Sequence, residues 1–260
     1  MNALTDRDVS PCVILTRRRT GASDLYHLLG NYVPWTCKGT EPFIWSRSMG
    51  EVSRQFHTGD AARARALLME FLAEGVFFKH QFETDSYEFN QLLLSALSDA
   101  GYRVLHVERE CEDERLFSLV IATHFKTWAR ESIESIRDRL REQEDIPSID
   151  LGQVRQLVRD ELAYRRWIEA EWGRHRLARL TVTYESFFRN GLQALPLADE
   201  VFAFAGLGSR ASMLDDASLL RFLFSGEHHT LGLIQYSPVL FQVHQTICEE
   251  LEATRRALPA

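Results

Sequence analysis

The stretch CVILTRRRTGASDLYHLLG, residues Cys12 to Gly30, decides the fold. Cys12-Val13-Ile14-Leu15 is a short uninterrupted apolar run, the pattern of a strand buried on both faces. A polar turn, Arg17 to Ser23, contains one glycine. Asp24 to Leu29 then reads as a helix, with Gly30 as its stop. A strand, tight turn and helix in this order can hold an anion, because the first turn of a helix has backbone N–H groups without partners and carries the positive end of the dipole. Gly21 lets the backbone approach closely, Thr20 and Ser23 offer hydroxyls, and Arg19 can grip a phosphate or sulfate with two N–H groups. The same pattern also fits an ordinary polar turn. It does not fit an ATPase loop, since the chain has no Gly-Lys-Ser/Thr.

Outward from this stretch, strands and helices alternate. Asp60 to Glu74 is rich in helix formers, with Ala64, Leu67, Leu68, Phe71 and Leu72 on one face. Val76 to Phe82 is a strand candidate, Glu88 to Ala100 a helix, Tyr102 to Val107 a third strand and Asp113 to Ala129 a helix. Leu180 to Tyr184 is a fourth strand, and a helix starts near Asp199. The βαβα order predicts a mainly parallel sheet with right-handed crossovers. Between 130 and 175 the chain is highly charged, with a break at Ile146-Pro147. Leu151, Val154, Val158, Leu162, Ile168 and Trp172 follow the spacing of a long amphipathic helix. Residues 214–225 and 238–257 also read as helical. Residues 31–58 carry Trp35, Phe43 and Trp45 with little periodicity, and are expected to form an irregular excursion facing a substrate.

At 260 residues and 45% hydrophobic content the chain can bury one substantial core. The expected organisation is a main domain over 12–210 and a helical C-terminal extension, 211–260, packed on it. A net charge of −7 argues against a broad nucleic-acid footprint, so the Arg17 to Arg19 cluster suits one small anion better. The four cysteines, Cys12, Cys37, Cys111 and Cys248, lack C-x-x-C spacing, which predicts neither a zinc site nor a disulfide framework. His228-His229 have no ligand-spaced partners and no metal is expected. No signal-like segment opens the chain and no apolar run nears the ~18 residues of a membrane span, so the expected location is cytoplasmic.

In open parallel sheets ligands bind beyond the carboxyl ends of strands. Those ends offer Arg19 to Ser23, then Lys79-His80, then Arg109, then Tyr184-Glu185. The cluster at Arg19, together with Arg109 and Ser118, would supply two separated anion sites, as a nucleotide phosphorylated at two ends requires.

These residues carry a resemblance. Arg19-Thr20-Gly21-Ala22-Ser23-Asp24-Leu25 resembles the 5′-phosphosulfate loop of bacterial sulfotransferases related to trehalose 2-sulfotransferase. Arg109, Ser118 and Trp128, with Ala122 between the last two, resemble that family's 3′-phosphate motif. Glu41-Pro42-Phe43 resembles its acidic turn, Phe78-Lys79-His80 one of its strands, and Tyr184-Glu185-Ser186-Phe187 the end of its last strand. The likeness runs from about Cys12 to Leu207. It departs at Arg18, where Pro or Gln is usual, and at Asp24, where Leu is usual.

The resemblance implies an α/β fold, a P-loop-like three-layer α/β/α sandwich with a mainly parallel central sheet and a helix-rich C-terminal half. It implies a sulfotransferase that uses 3′-phosphoadenosine 5′-phosphosulfate (PAPS) and moves its sulfuryl group to a small-molecule hydroxyl, a sugar or a glycosylated metabolite. It also implies a homodimer. Arg19, Thr20, Gly21, Ala22 and Ser23 would bind the phosphosulfate, and Arg109 and Ser118 the 3′-phosphate. Glu41 would be the base, with His80 its rival, and Lys79 or His80 would steady the leaving phosphate. Structural roles are open for each: Glu41 as a turn cap, Lys79 as a surface lysine, His80 as a core histidine, Ser118 bonded to its own helix. Two other functions stay open, an inactive relative that binds PAPS as a scaffold and a divergent nucleotide-dependent phosphotransferase.

Overall fold

The computed structural model describes residues 10–126, 130–142, 148–208, 214–225 and 230–257. Trp128, the break at Ile146-Pro147 and His228-His229 lie outside the described residues. The chain forms two compact units, one from 1–110 with 171–227 and one from 111–170 with 228–260.

The first unit is built on a five-stranded, all-parallel sheet of order β2-β3-β1-β4-β5. The strands are β1 (Cys12–Thr16), β2 (Thr36–Thr40), β3 (Val76–Gln81), β4 (Arg103–Glu108) and β5 (Ala178–Thr183). Every residue of β1 is buried, as its unbroken apolar run requires of a central strand. Four of the five strands fall where alternation predicts them. The fifth, β2, lies in the stretch read as irregular. Its sequence, Thr-Cys-Lys-Gly-Thr, is polar because it is an edge strand with no buried residue, so no alternation marks it.

Helices cover both faces of this sheet. Cys12, Ile14, Phe77, Leu105, Val107 and Val182 point to one face. There they pack on α1 (Ala22–Gly30), α8 (Tyr184–Phe188), α9 (Ala194–Phe204) and α10 (Asp216–Ser225). The opposite face carries Phe78 and His80. Phe71 of α3 (Ala61–Ala73) meets Phe78 there, and Phe89 of α4 (Tyr87–Asp99) meets His80, with Phe43 touching both strand residues. The result is a helix, sheet and helix sandwich. Local chemistry fixes the helix starts on the second face: the Asp60 carboxylate accepts from Arg63 N at 2.9 Å, and Ser86 Oγ from Phe89 N at 3.2 Å. A short α2 (Gly50–His57) also lies in the stretch expected to be irregular.

The second unit is helical, with α5 (Glu112–His124), α6 (Arg130–Arg141), α7 (Leu151–Arg174, through residue 170) and α11 (Pro238–Ala257). Leu116, Phe117, Val120, Val154, Val158, Leu240, Val243 and Ile247 are among its core residues. A fully buried Arg115 is held by Glu112 at 2.8 Å and Glu161 at 2.9 Å, which answers the need of a buried charge for partners. Among the described residues, no helix is long and apolar enough to cross a membrane.

Candidate functional site: the carboxyl edge of the sheet

Beyond the carboxyl end of β1 the chain turns through Arg17 to Gly21 into α1. Arg19, at φ 65°, and Gly21, at φ 79°, both take the left-handed conformation. Gly21 also serves as the N-cap of α1, and no side chain caps that end. A Cβ at Gly21 would lie 2.7 Å from Cδ2 of Tyr184, so glycine is required here by space as well as by backbone angle. Tyr184, the first residue after β5, thereby closes one wall of the turn.

Thr20 is almost fully buried, and its hydroxyl is engaged within the turn. It donates to the Arg17 carbonyl at 3.1 Å and meets the Thr16 hydroxyl, which in turn reaches the Val107 carbonyl of β4 at 2.9 Å. The Thr20 side chain therefore pins the loop to the sheet, leaving its backbone for any ligand. Ala22 is buried and Ser23 is exposed on the first turn of α1. The Arg18 N–H donates to Glu83 at 3.1 Å.

Arg109 follows β4 and is nearly buried. Its guanidinium stacks on the Tyr184 ring at 4.7 Å, and its Nε lies 3.5 Å from Glu185. Glu185 is itself held by the Glu110 backbone N–H at 2.9 Å. Arg189 approaches the same tyrosine ring at 5.6 Å. Arg19 and Arg109 are close enough to feel one another: burial first, and then the like charge of Arg109, pull the Arg19 guanidinium below its usual pKa, while Tyr184 and Asp24 oppose this. Two arginines converging beside an uncapped helix start make a site that an anion stabilises. Asp24 partly balances it from the first turn of α1.

Glu41 and Lys79 meet at the ends of β2 and β3. Lys79 Nζ lies 2.5 Å from Glu41 Oε1 and both side chains are buried. The Glu41 backbone N–H also donates to the Lys79 carbonyl at 2.6 Å, and Glu41 takes a left-handed φ of 48°. Register puts Lys79 opposite Ile14 and His80 opposite Leu15, so the two neighbours face opposite sides of the sheet.

His80 is therefore separated from the Glu41–Lys79 pair. It is fully buried, ringed by Phe43, Phe82 and Phe89, and its Nε2 donates to Asn90 Oδ1 at 2.8 Å. Burial lowers its pKa from the ordinary 6.5, so the native ring is neutral. The sign follows directly: above 6.5 neither state gains a proton, and below it the unfolded chain binds one that the native chain refuses. Stability should fall as pH drops below 6.5, by up to about 1.4 kcal/mol per unit until the native value is passed. Urea unfolding across this range should show a flatter profile for His80→Gln; an unchanged profile would show that His80 carries none of the slope.

Ser118 lies on α5 in the second unit, buried, with the Thr230 hydroxyl donating to its Oγ at 3.4 Å. Tyr184 is among the residues expected at the strand ends, and Arg189, behind it, is the addition that sequence reasoning does not supply. The local signal for that wall is an aromatic directly after a strand, four residues before another aromatic, Phe188, whose ring lies tilted against it at 5.0 Å. No family model matches this chain, and no curated protein matches it.

Proposed function

We propose that the protein is a PAPS-dependent sulfotransferase acting on a hydroxyl of a small molecule. The observation that carries the reading is the convergence of Arg19 and Arg109 beside the uncapped start of α1, at the carboxyl edge of a parallel sheet. A donor with an anionic group at each end of its ribose satisfies two such arginines better than a single phosphate does. Arg19 and the backbone of Thr20 to Ser23 hold the phosphosulfate, and Arg109 holds the 3′-phosphate.

In the reaction the acceptor oxygen forms a bond to sulfur as the bond from sulfur to the 5′-phosphate oxygen breaks. The acceptor's proton passes to Glu41, and 3′,5′-adenosine bisphosphate leaves. Positioning and stabilisation of spread negative charge supply most of the catalysis, as in phosphoryl transfer. Lys79 holds the Glu41 carboxylate. A bound phosphosulfate offers Lys79 a second anion, and a Lys79 that turns to it releases Glu41 to act as base.

Calorimetric titration tests the reading. The purified protein should bind 3′,5′-adenosine bisphosphate tightly and ATP weakly, because only the former presents a 3′-phosphate. A folded protein that binds neither, or that prefers ATP, would remove the sulfotransferase assignment.

A further inference from the structure

A cavity, open to solvent and of about 570 Å³, lies in the first unit between the segment following β2 and the segment following β3. Its walls include Phe43, Trp45, Ser53, His57 and Asp85, and among the described residues no lysine or arginine lines it. An anionic ligand is therefore disfavoured here, in contrast to the turn at Arg19.

The polar groups of this cavity are arranged around one carboxylate. Asp85 is nearly buried and accepts three hydrogen bonds: from Ser53 Oγ at 2.7 Å, from His57 Nε2 at 2.6 Å and from the Ser86 backbone N–H at 2.9 Å. Because Asp85 can only accept, the proton of a neutral His57 sits on Nε2. Its Nδ1 is then a bare acceptor, with no hydrogen-bond partner among the described residues, on a ring that is 36% exposed.

Next to it stands Trp45, 58% exposed yet fastened. Its indole N–H donates to Ser53 Oγ at 3.3 Å, and Arg54 holds its carbonyl at 2.8 Å. The indole and imidazole rings are 6.4 Å apart. A held aromatic face and a fixed acceptor nitrogen in a cavity without cations suit one chemistry, a neutral ring that carries a hydroxyl donor.

We propose that this cleft binds a neutral ring alcohol, stacked on Trp45 and donating a hydroxyl to His57 Nδ1. The assignment of that ligand as the sulfuryl acceptor rests on the function proposed above. Phe43, two residues past Glu41, forms part of the cavity wall. His57 is then a residue that selects the acceptor, and Asp85 positions it.

Two probes separate the sources of such a ring: methyl α-glucoside for a sugar and 2-naphthol for a planar phenol. Each is titrated into the full-length protein, with and without saturating 3′,5′-adenosine bisphosphate, while the histidine side-chain resonances and tryptophan fluorescence are followed. One of the two should bind at millimolar concentration. His57→Ala and Trp45→Ala should each weaken it roughly tenfold, the loss of one hydrogen bond or one ring contact, with bisphosphate binding unchanged. Failure of both probes on folded protein, or binding that ignores both substitutions, overturns the proposal. Ring-alcohol binding without bisphosphate binding would retain the cleft and discard the sulfotransferase reading.

Discussion

Arg109→Ala should lower the affinity for 3′,5′-adenosine bisphosphate by at least about a hundredfold while leaving the fold intact. A bidentate guanidinium makes two charge-assisted hydrogen bonds to a phosphate, each contributing about 1.5–3 kcal/mol, and the nearly buried setting of Arg109 screens them little. The substitution also exposes the ligand to the carboxylate of Glu185, which the arginine now faces at 3.5 Å. That second effect is separable. If repulsion by Glu185 were the whole cause, Arg109→Ala with Glu185→Gln would restore binding; if the guanidinium grips the phosphate, the double variant stays weak. Arg109→Lys keeps the charge but loses the fork and much of the stacking on Tyr184, and should fall between, roughly tenfold down. Calorimetry on variants with unchanged circular dichroism would decide, and an Arg109→Ala protein that binds as the wild type does would remove Arg109 from the site.

How much of this was legible in the sequence depends on whether the signal is local. The β1 run and the glycine-containing turn after it are written in consecutive residues, and a central strand buried on both faces leaves an unbroken apolar mark. The alternation of strands and helices carried the parallel sheet as well. The edge strand β2 left no such mark, because its register is set by pairing with β3 and not by burial. The partnership of Arg19 with Arg109 is also non-local. Ninety residues separate them, and only the sheet order, with β4 beside β1, places their turns together. In the same way α5, α6, α7 and α11 gather in one helical unit through contacts that no single periodicity encodes. Lys79-His80 illustrates the remaining gap. Both residues were candidates for one role, yet the period of a strand sends adjacent side chains to opposite faces, which gives Lys79 an ion pair and His80 a cage of rings.

That ion pair yields the other large effect. Glu41→Gln leaves the Lys79 ammonium, whose side chain is 2% exposed, without its counter-charge, and should destabilise the protein by about 3–5 kcal/mol. Lys79→Met should cost a similar amount for the mirrored reason, a carboxylate left buried. The two losses should not add. Combining Glu41→Gln with Lys79→Met removes both charges and puts a methionine along the path of the lysine stem, so the double variant should recover most of the stability of the wild type, a coupling readable as a double-mutant cycle in urea. The recovery matters because it separates structure from chemistry. A single variant that is inactive could merely be unfolded, whereas a stable double variant that binds 3′,5′-adenosine bisphosphate keeps the arginine site and lacks only the Glu41 carboxylate and the Lys79 ammonium. Sulfuryl transfer by that protein should be lower by a factor of at least roughly 10²–10⁴, the usual contribution of a general base, to which the loss of Lys79 at the leaving phosphate adds. If it instead transfers at the rate of the wild type, Glu41 is a structural counter-ion to Lys79, and the proton must leave the acceptor by another group, for which His57, paired with Asp85 and bare at Nδ1, is the nearest in kind.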